Sequence, residues 1–420
     1  MKHVSSRSEL LECKVIKNME VFSYVCDSNR IQSMKKLLTF LSLTVVTVAS
    51  FGQSQIDRVL NKTQNMMNDV MNEVRQQQNQ VMAAYEEERS KVQERYEAFC
   101  AECMAKWGDK TMVESTRKEW VDYSPDNERR SIVDFESGDV KVEVLVDPDE
   151  DDRTVNEKLE MAVEELLNNK GTVPSYDRDV TSVENISVRP ILEDQIDLSG
   201  LNPEDEDVAG KIVEDKVKDE RVVDTDKGDK RVVSIHLKLV EDHIPKRAEK
   251  FRELIASHSR RYGIDEPLIY AIIEQESAFN PMARSSAGAY GLMQIVPRYG
   301  GRDANGYVNN RDVEPKPYEL YDPDFNIQLG VGYLKKQMEV YFEGVTDRKN
   351  LMLCAIAAYN TGQGNVYYAL TGSRSPKGAS QRVNALTYDR LYRHLKVYLP
   401  CSETRDYIQK VTSKMQKYIK

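Results

Sequence analysis

The stretch D-E-P-L-I-Y-A-I-I-E-Q-E-S-A-F-N-P-M-A-R-S-S-A-G-A-Y-G-L-M-Q-I-V-P, residues 265–297, decides the fold of the second half of the chain. It opens as a helix, because Asp265 is a favourable N-cap and Pro267 lies in the first turn, where a missing N–H costs nothing. Apolar residues then recur at helical spacing, and Pro281 requires the helix to end before it. The apolar positions are Leu268, Ile269, Ile272 and Ile273.

Glu276 continues the apolar stripe of this helix, four residues after Ile272 and three after Ile273. Glu274 lies about 200° away around the helix axis and is predicted to point to solvent. A carboxyl group at the end of an apolar stripe is poorly solvated, which raises its pKa and keeps it protonated near neutrality, as a general acid requires. Glu276 is therefore the candidate catalytic residue. The alternative is a helix-end carboxylate that only bonds its neighbours.

The chain of 420 residues is long enough for two or three domains, and its composition, 40% hydrophobic and 30% charged, is that of a globular protein. Its charge is uneven, because the net charge of −10 divides into +6 for residues 241–420 and −16 for residues 1–240. The acidic half should avoid anionic partners, so no nucleic acid is expected to bind.

Residues 34–52 are predicted to be an export signal. Basic residues stand at its start, a 15-residue apolar core follows, and residues 50–52 suit cleavage. The core is shorter than the roughly 20 apolar residues of a membrane span, and no cysteine follows it for lipid attachment. Residues 1–33 are interpreted as an upstream extension that the mature protein lacks. The mature chain is expected in the periplasm or cell envelope.

Export to an oxidising compartment allows disulfides among the four cysteines that follow the signal. These are Cys100, Cys103, Cys354 and Cys401, and the sequence leaves their pairing open. The first two form a lone C-x-x-C with no second pair and no flanking histidines, so no metal site is expected there.

Three segments are predicted after the signal. Residues 53–106 lack proline and glycine and repeat apolar residues at helical steps, which predicts an arm made of one long helix or a helical hairpin. In residues 107–244, apolar residues recur at every second position around Val140, as in a strand, and at every third or fourth position around Leu159, as in a helix. This pattern predicts a small α+β domain. Residues 245–420 are predicted to form helices separated by Gly- and Pro-rich loops. The fold class is therefore multidomain, with a mainly α C-terminal domain.

Small residues dominate the segment 285–291, after the helix of Glu276. They let an extended ligand approach the backbone, while Ser286 and Gln294 offer hydrogen bonds to hydroxyl or amide groups, as a sugar polymer requires. A plain tight turn fits the same residues, so the loop alone leaves both interpretations open.

Three motifs in the C-terminal half resemble one enzyme family. Residues 276–297, A-Y-N-T-G at 358–362 and E-T-R-D-Y at 403–407 are similar to the soluble-lytic-transglycosylase catalytic domain, an α fold like that of goose lysozyme. The motif W-G-D at 107–109, with the stretches S-I-V-D-F-E-S-G-D-V-K-V-E-V and V-V-S-I-H-L-K-L-V, resembles the N-terminal domain of the membrane-bound lytic murein transglycosylase C family. The resemblance covers most of residues 100–420.

The resemblance implies a role for each matching residue. Glu276 takes the place of the family's single acid and base. The residues that match saccharide-lining positions are Ser286, Met293, Gln294, Tyr359 and Asn360, and those that match the late motif are Glu403 and Tyr407. The implied partner is the peptidoglycan glycan strand, with no cofactor and no metal. Residues 53–240 are expected to carry any contacts with cell-envelope proteins.

The implied reaction is cleavage of the β-1,4 bond between N-acetylmuramic acid and N-acetylglucosamine, with formation of a 1,6-anhydromuramic end. Two alternatives stay open. One is a lysozyme-type muramidase, in which water attacks, and the other is a non-catalytic scaffold that only binds peptidoglycan.

Overall fold

The computed structural model describes residues 53–178, 183–198, 200–203, 205–225 and 228–419. The predicted export signal and the upstream segment before it lie outside the described residues. The chain forms two units, residues 1–90 and 91–420. The described part of the first unit belongs to one helix, α1 (Gln53–Trp107), which continues into the second unit. The predicted arm is therefore a single helix and not a hairpin.

The end of α1 is fixed by its last residue and by the glycine that follows. Gly108 has a φ of 79°, in the left-handed region that glycine adopts without steric penalty, and its N–H donates to the carbonyl of Met104 at 2.8 Å. Trp107 is fully buried, and its indole N–H donates to the carbonyl of Asn127 at 2.7 Å. The C-terminal end of α1 thus packs on the β-sheet.

Five antiparallel strands form this sheet, in the order β1-β2-β3-β5-β4. The strands are β1 (Glu119–Tyr123), β2 (Arg129–Asp134), β3 (Asp139–Val146), β4 (Asp219–Thr225) and β5 (Gly228–Lys238). The alternate valines of β3 are buried on the face that packs against α2 (Asp152–Asn168), as the period of two predicts. A short helix, α3 (Val208–Asp215), packs on α2 and precedes β4.

The other face of the sheet is also buried, which strand alternation does not predict. Glu143 has no exposed surface, and its carboxylate pairs with Arg130 at 2.5 Å and with Arg221 at 2.6 Å. The guanidinium of Arg130 lies 3.9 Å above the ring of Trp107. Burial raises the pKa of Glu143, but the hydrogen bonds and charges of Arg221, Arg130 and Lys141 outweigh it and hold the pKa at about 2. The end of α1 therefore covers these paired charges on the second face of the sheet.

Residues 243–419 form the C-terminal helical region. Its helices are α4 (His243–Lys250), α5 (Arg252–Tyr262), α6 (Glu266–Ser277), α7 (Arg302–Asn309), α8 (Pro323–Lys336), α9 (Arg348–Thr361), α10 (Gln363–Thr371), α11 (Ala379–Asn384), α12 (Tyr388–Tyr398) and α13 (Ser402–Met415). One hydrophobic core runs from the sheet face that packs on α2 into these helices. The predicted multidomain fold class is confirmed: a long helix and a small α+β region precede a mainly α region.

The four cysteines after the predicted signal are all unpaired in the described residues. Cys100, Cys103 and Cys354 are buried, and burial raises the pKa of each thiol. Thiols of this kind are unreactive, because the thiolate is the reacting form.

Candidate active site

Helix α6 carries Glu276 in its last turn. Asp265 precedes the helix in an extended conformation, but its side chain does not cap α6 and instead pairs with Arg348 at 2.8 Å. The helix ends at Ser277, and the next two residues, Ala278 and Phe279, both have left-handed φ values, 50° and 62°. Non-glycine residues in this region are strained and are held there by their surroundings. The chain therefore leaves α6 in a tight, enforced turn directly after Glu276.

Glu276 is buried, as its place in the apolar stripe predicts, with 5% of its surface exposed. Burial raises the pKa of its carboxyl group to about 7, against the opposing effect of Tyr407 and of the positive charge of Arg117. The neighbouring negative charge of Glu403 raises it further. A carboxyl group with this pKa is part protonated and part ionised at neutral pH, so it can both give and accept a proton.

Two tyrosines lie beside Glu276. Tyr359, in α9, donates its hydroxyl to the carbonyl of Met293 at 2.8 Å, so it joins α9 to the loop after α6. Tyr407, in α13, is 3% exposed, and its buried hydroxyl meets no hydrogen-bond partner of good geometry among the described residues. Because Tyr407 lowers the pKa of Glu276 as a hydrogen-bond donor does, its hydroxyl lies near that carboxyl group.

The loop after α6 is held from below by α8. Asn326, fully buried in α8, accepts from the N–H of Met293 at 2.8 Å and donates to the carbonyl of Tyr290 at 2.9 Å. Gly291 is required there, because its φ is 71° and a Cβ would lie 2.2 Å from the carbonyl oxygen of Leu320. The small residues of this loop thus allow close packing on α8.

A cavity of about 640 Å³ that opens to solvent is lined by Tyr359, one of the two tyrosines near Glu276, although Glu276 itself does not line it. Residues that line it include Gln294, Tyr299, Tyr333, Tyr341, Tyr359 and Asn360. The side-chain N–H₂ of Gln294 donates to Gly291 at 3.0 Å, whereas its buried oxygen has no hydrogen-bond partner among the described residues. A buried, unpaired acceptor facing a cavity is suited to a ligand hydroxyl or amide. Tyr299 is 71% exposed, so its ring face is open to a sugar.

The motifs at 358–362 and 403–407 meet through one hydrogen bond. The hydroxyl of Thr404, which is fully buried, donates to the side-chain oxygen of Asn360 at 2.7 Å. The amide N–H₂ of Asn360, a residue that lines the cavity, takes no part in this bond. Thr404 was not among the predicted site residues, although it belongs to the motif E-T-R-D-Y at 403–407, which could have identified it.

Not every predicted site residue lies at the cavity. Met293 is fully buried and packs against Gly330 of α8, where a Cβ would lie 2.3 Å from its sulfur, so its side chain supports the loop from beneath. Ser286 is exposed at the tip of the turn closed by Ser285 and Ala289, and its contact with substrate stays a prediction.

Arg117 is the site residue that sequence reasoning missed. It precedes β1, and its guanidinium lies 3.6 Å from the carboxylate of Glu276 and 3.5 Å from that of Glu403. Glu403 lies at the start of α13 and is 63% exposed. It contacts the site through its ion pair with Arg117. No spacing pattern connects positions 117, 276 and 403, which explains why only the tertiary structure reveals the contact.

The prediction that Glu274 points to solvent is wrong. It is 2% exposed, and its carboxylate accepts from Lys414 at 2.6 Å, Lys417 at 2.9 Å and the hydroxyl of Tyr418 at 2.6 Å. The reason is that α13 and the turn after it cover the face of α6 opposite the apolar stripe. Burial raises the pKa of Glu274, but the bonds from Lys414, Tyr418 and Lys417 outweigh it and hold the pKa below its usual range.

Replacing Glu274 with glutamine is expected to lower the free energy of unfolding by about 2 kcal/mol at neutral pH, because two ammonium groups lose their buried partner. The folded-state pKa is depressed, so this stabilisation is present above the unfolded pKa of about 4.3 and is lost as the pH falls through the folded value. Urea unfolding of both proteins from about pH 7 down to about pH 2 measures it. A difference that stays constant over this range would contradict the ionic origin.

Comparison with known proteins matches the segments that contain Arg117, Glu276 and the residues lining the cavity. Residues 253–381 match the family model described as transglycosylase SLT domain, and residues 84–250 match the model described as membrane-bound lytic murein transglycosylase C, N-terminal domain. The chain is 31% identical over 317 residues to a protein named membrane-bound lytic murein transglycosylase C from Mannheimia succiniciproducens, which covers 74% of this chain and 85% of that relative.

A protein of the same name from Glaesserella parasuis is 33% identical over 322 residues, covering 74% of this chain and 83% of the relative. Among solved structures, the 70 kDa soluble lytic transglycosylase from Escherichia coli is 28% identical with a TM-score of 0.31, covering 40% of this chain and 24% of that one.

Proposed function

Because this chain belongs to the membrane-bound lytic murein transglycosylase C family, it is a peptidoglycan lytic transglycosylase, and we propose that Glu276 is the single acid and base of its reaction. The observation that carries the proposal is a buried carboxyl group whose pKa is raised to about 7 and which lies near Tyr359, a residue that lines an open cavity. Most glycosidases divide the acid and base roles between two carboxyl groups. Here one group, half ionised at neutral pH, serves both.

In the first half of the reaction, Glu276 gives its proton to the glycosidic oxygen between N-acetylmuramic acid and N-acetylglucosamine, and the bond from that oxygen to C1 breaks. In the second half, the ionised Glu276 takes the proton of the muramic C6 hydroxyl, whose oxygen bonds to C1 and forms the 1,6-anhydro ring. The proton returns to Glu276, so the enzyme ends as it began. No water is consumed.

Further residues of the site bind the glycan in this proposal. The free side-chain oxygen of Gln294 and the hydroxyl of Tyr407 are buried polar groups that gain a partner when a sugar binds. Asn360 and Tyr359 form the wall opposite the loop, and Ser286 and Glu403 extend the site at its exposed edges. Met293 acts through its backbone, which Tyr359 and Asn326 hold in place.

Mass spectrometry of digested sacculi tests the proposed reaction. Anhydro-ended fragments are lighter than reducing-ended fragments by one water molecule, so a transglycosylase yields the lighter series. Reducing ends alone would indicate a lysozyme-type hydrolase. Sacculus binding without release of any fragment would indicate a scaffold.

The value of kcat/KM is expected to be level at acid pH and to fall above about pH 7, because the first step needs Glu276 protonated and its pKa is about 7. A solvated glutamate, with a pKa of about 4.3, would place this fall more than two pH units lower. Initial rates of fragment release at low substrate concentration, from about pH 4 to about pH 9, measure the profile. A fall near pH 4 to 5 would contradict a buried acid.

We place the enzyme in the cell envelope, where its substrate lies. This proposal rests on the export signal predicted at residues 34–52 and on relatives whose names describe them as membrane-bound. None of the helices among the described residues has the length and apolar character needed to cross a membrane. Contacts with other envelope proteins through residues 53–240 remain part of this proposal.

A further inference from the structure

Arg117 reaches the acid from outside the C-terminal helical region. It stands in the segment between α1 and β1, and the backbone on both sides of it is fixed to the sheet. The N–H of Thr116 donates to the carbonyl of Glu119, and the N–H of Phe135 donates to the carbonyl of Lys118, both at 2.8 Å. The sheet therefore fixes the Cα of Arg117, and only its side chain is free to move.

The side chain of Arg117 lies between two carboxylates and is held tightly by neither. Its nitrogens are 3.6 Å from Glu276 and 3.5 Å from Glu403, which are ion-pair distances longer than a good hydrogen bond. It is 41% exposed, whereas the side chain of Glu276 is 6% exposed. A guanidinium group in this position is permanently charged and acts on Glu276 through its field.

The other groups that face Glu276 give no comparable compensation for its charge. Tyr407 and Glu403 come from α13 and Tyr359 from α9, and among these only the hydroxyl of Tyr407 favours the carboxylate. Lys118 contributes a weaker positive field, and its ammonium group pairs with Glu136. Arg117 is thus the strongest cationic influence on the buried acid.

We propose that Arg117 is a positioning residue for the reaction: supplied by the α+β region, it stabilises the carboxylate form of Glu276 between the two proton transfers. This rests on the proposed role of Glu276. Once Glu276 has given its proton to the leaving oxygen, it is an anion in a site that the glycan has closed to water. A nearby guanidinium offsets that charge until the C6 hydroxyl returns a proton.

The proposal gives the α+β region a part in catalysis that its lack of any catalytic motif does not suggest. It also gives a reason for the fixed connection between α1 and β1, because a shift of the sheet would move Arg117 away from Glu276. The second carboxylate, Glu403, contacts the guanidinium from the exposed side.

The pH profile of kcat/KM in the full-length protein tests the proposal. The R117M variant is expected to move the alkaline fall upward by about one pH unit, because Glu276 loses the charge that favours its ionised form. It should lower kcat and leave KM nearly unchanged, since the effect arises between the proton transfers. R117K, which keeps the charge, is expected to restore most of the wild-type profile.

Two further variants serve as controls. K118M removes a positive charge one residue away and should move the fall much less, because that ammonium group pairs with Glu136. E403Q should move the fall to lower pH, because the charge of Glu403 raises the pKa of Glu276. Circular dichroism and thermal unfolding check that each variant is folded, and R117Q replaces R117M if the latter does not fold.

An alkaline fall at the wild-type pH in a folded R117M or R117Q variant would overturn the proposal. In that case an inactive E276Q variant would leave the role of Glu276 standing, so the failure would belong to Arg117 alone. An E276Q variant with wild-type activity would instead overturn the proposed function on which this inference rests.

Discussion

The E276Q variant is expected to cleave peptidoglycan at least about 100-fold more slowly than the wild type and to keep the native fold. Glutamine has nearly the shape of glutamate but cannot give or take a proton at neutral pH. General acid–base catalysis contributes about 10²- to 10⁴-fold in enzymes, and here one group performs both transfers. The loss is expected in kcat, because the variant leaves the proposed glycan contacts of Gln294 and Asn360 unchanged.

The chain offers a matched control for this variant on the same helix. E274Q makes the same chemical change two residues away, at a carboxylate that is equally buried but bonded to Lys414 and Lys417. The two variants should show opposite behaviour: E276Q loses activity with little change in stability, and E274Q loses stability with little change in kcat. Fragment release from sacculi and urea unfolding measure the two properties. Near-wild-type cleavage by E276Q would refute the assignment of the acid.

The R247M variant is expected to lower the free energy of unfolding by about 3 kcal/mol. Arg247, in α4, is 1% exposed and donates to the carbonyls of Phe135 at 2.5 Å and Ala278 at 3.1 Å and to the side-chain oxygen of Gln195 at 2.9 Å. Methionine fills similar space but leaves these three oxygens buried without donors. The loss of the buried cation offsets part of that cost, since burial lowers the pKa of Arg247 to about 9.

The same variant should also reduce activity, because the bond to Ala278 holds the strained turn that follows Glu276. Two controls separate the causes. R247K keeps the charge but lacks the planar fork that reaches three acceptors, so it should lose most of the stability that R247M loses. K246M changes the neighbouring, 39% exposed side chain and should be close to wild type. Urea unfolding that is unchanged in R247M would contradict a structural role.

Arg247, in α4, and Arg117, in the α+β region, together show how contacts between the two regions support the site. One cation is buried and fixes the turn after Glu276, and the other is half exposed and lies against its carboxylate. A third contact anchors the loop that lines the cavity: Asp177, 1% exposed, accepts from the hydroxyl of Tyr321 at 2.9 Å and lies 3.7 Å from Arg284. All three link residues more than 100 positions apart or in different structural regions.

Short-range patterns predicted the elements with strong periodicity. The helix around Glu276 begins at Glu266 and ends at Ser277, close to the limits set by Asp265 and Pro281. Strand β3 and helix α2 likewise follow their apolar spacing. Helices α7, α10 and α11 are short, with six to nine residues, which leaves few positions from which a period can be read.

The same reasoning failed where both faces of an element are buried. The period of 3.6 placed Glu274 on an exposed face, and the alternation of β3 gives no sign that Glu143 is covered, yet both carboxylates are buried and ion-paired. Periodicity identifies the apolar face of an element but not what covers its polar face. Glu274 is covered by α13 and the turn after it, which supply Lys414 and Lys417 as partners. Glu143 is covered by the end of α1, and its partners Arg130 and Arg221 come from neighbouring strands.

The sequence by itself determined that Glu276 lies on a buried helix face and that the chain carries the motifs of a lytic transglycosylase. Both are local properties, since residues three or four apart on a helix share a face and a motif is a run of neighbours. Only the tertiary structure decided that Arg117 lies against Glu276, that Arg247 fixes the turn after it and that Glu274 is buried. These are contacts between residues far apart in sequence, and they form because the sheet and α13 pack against the end of α6.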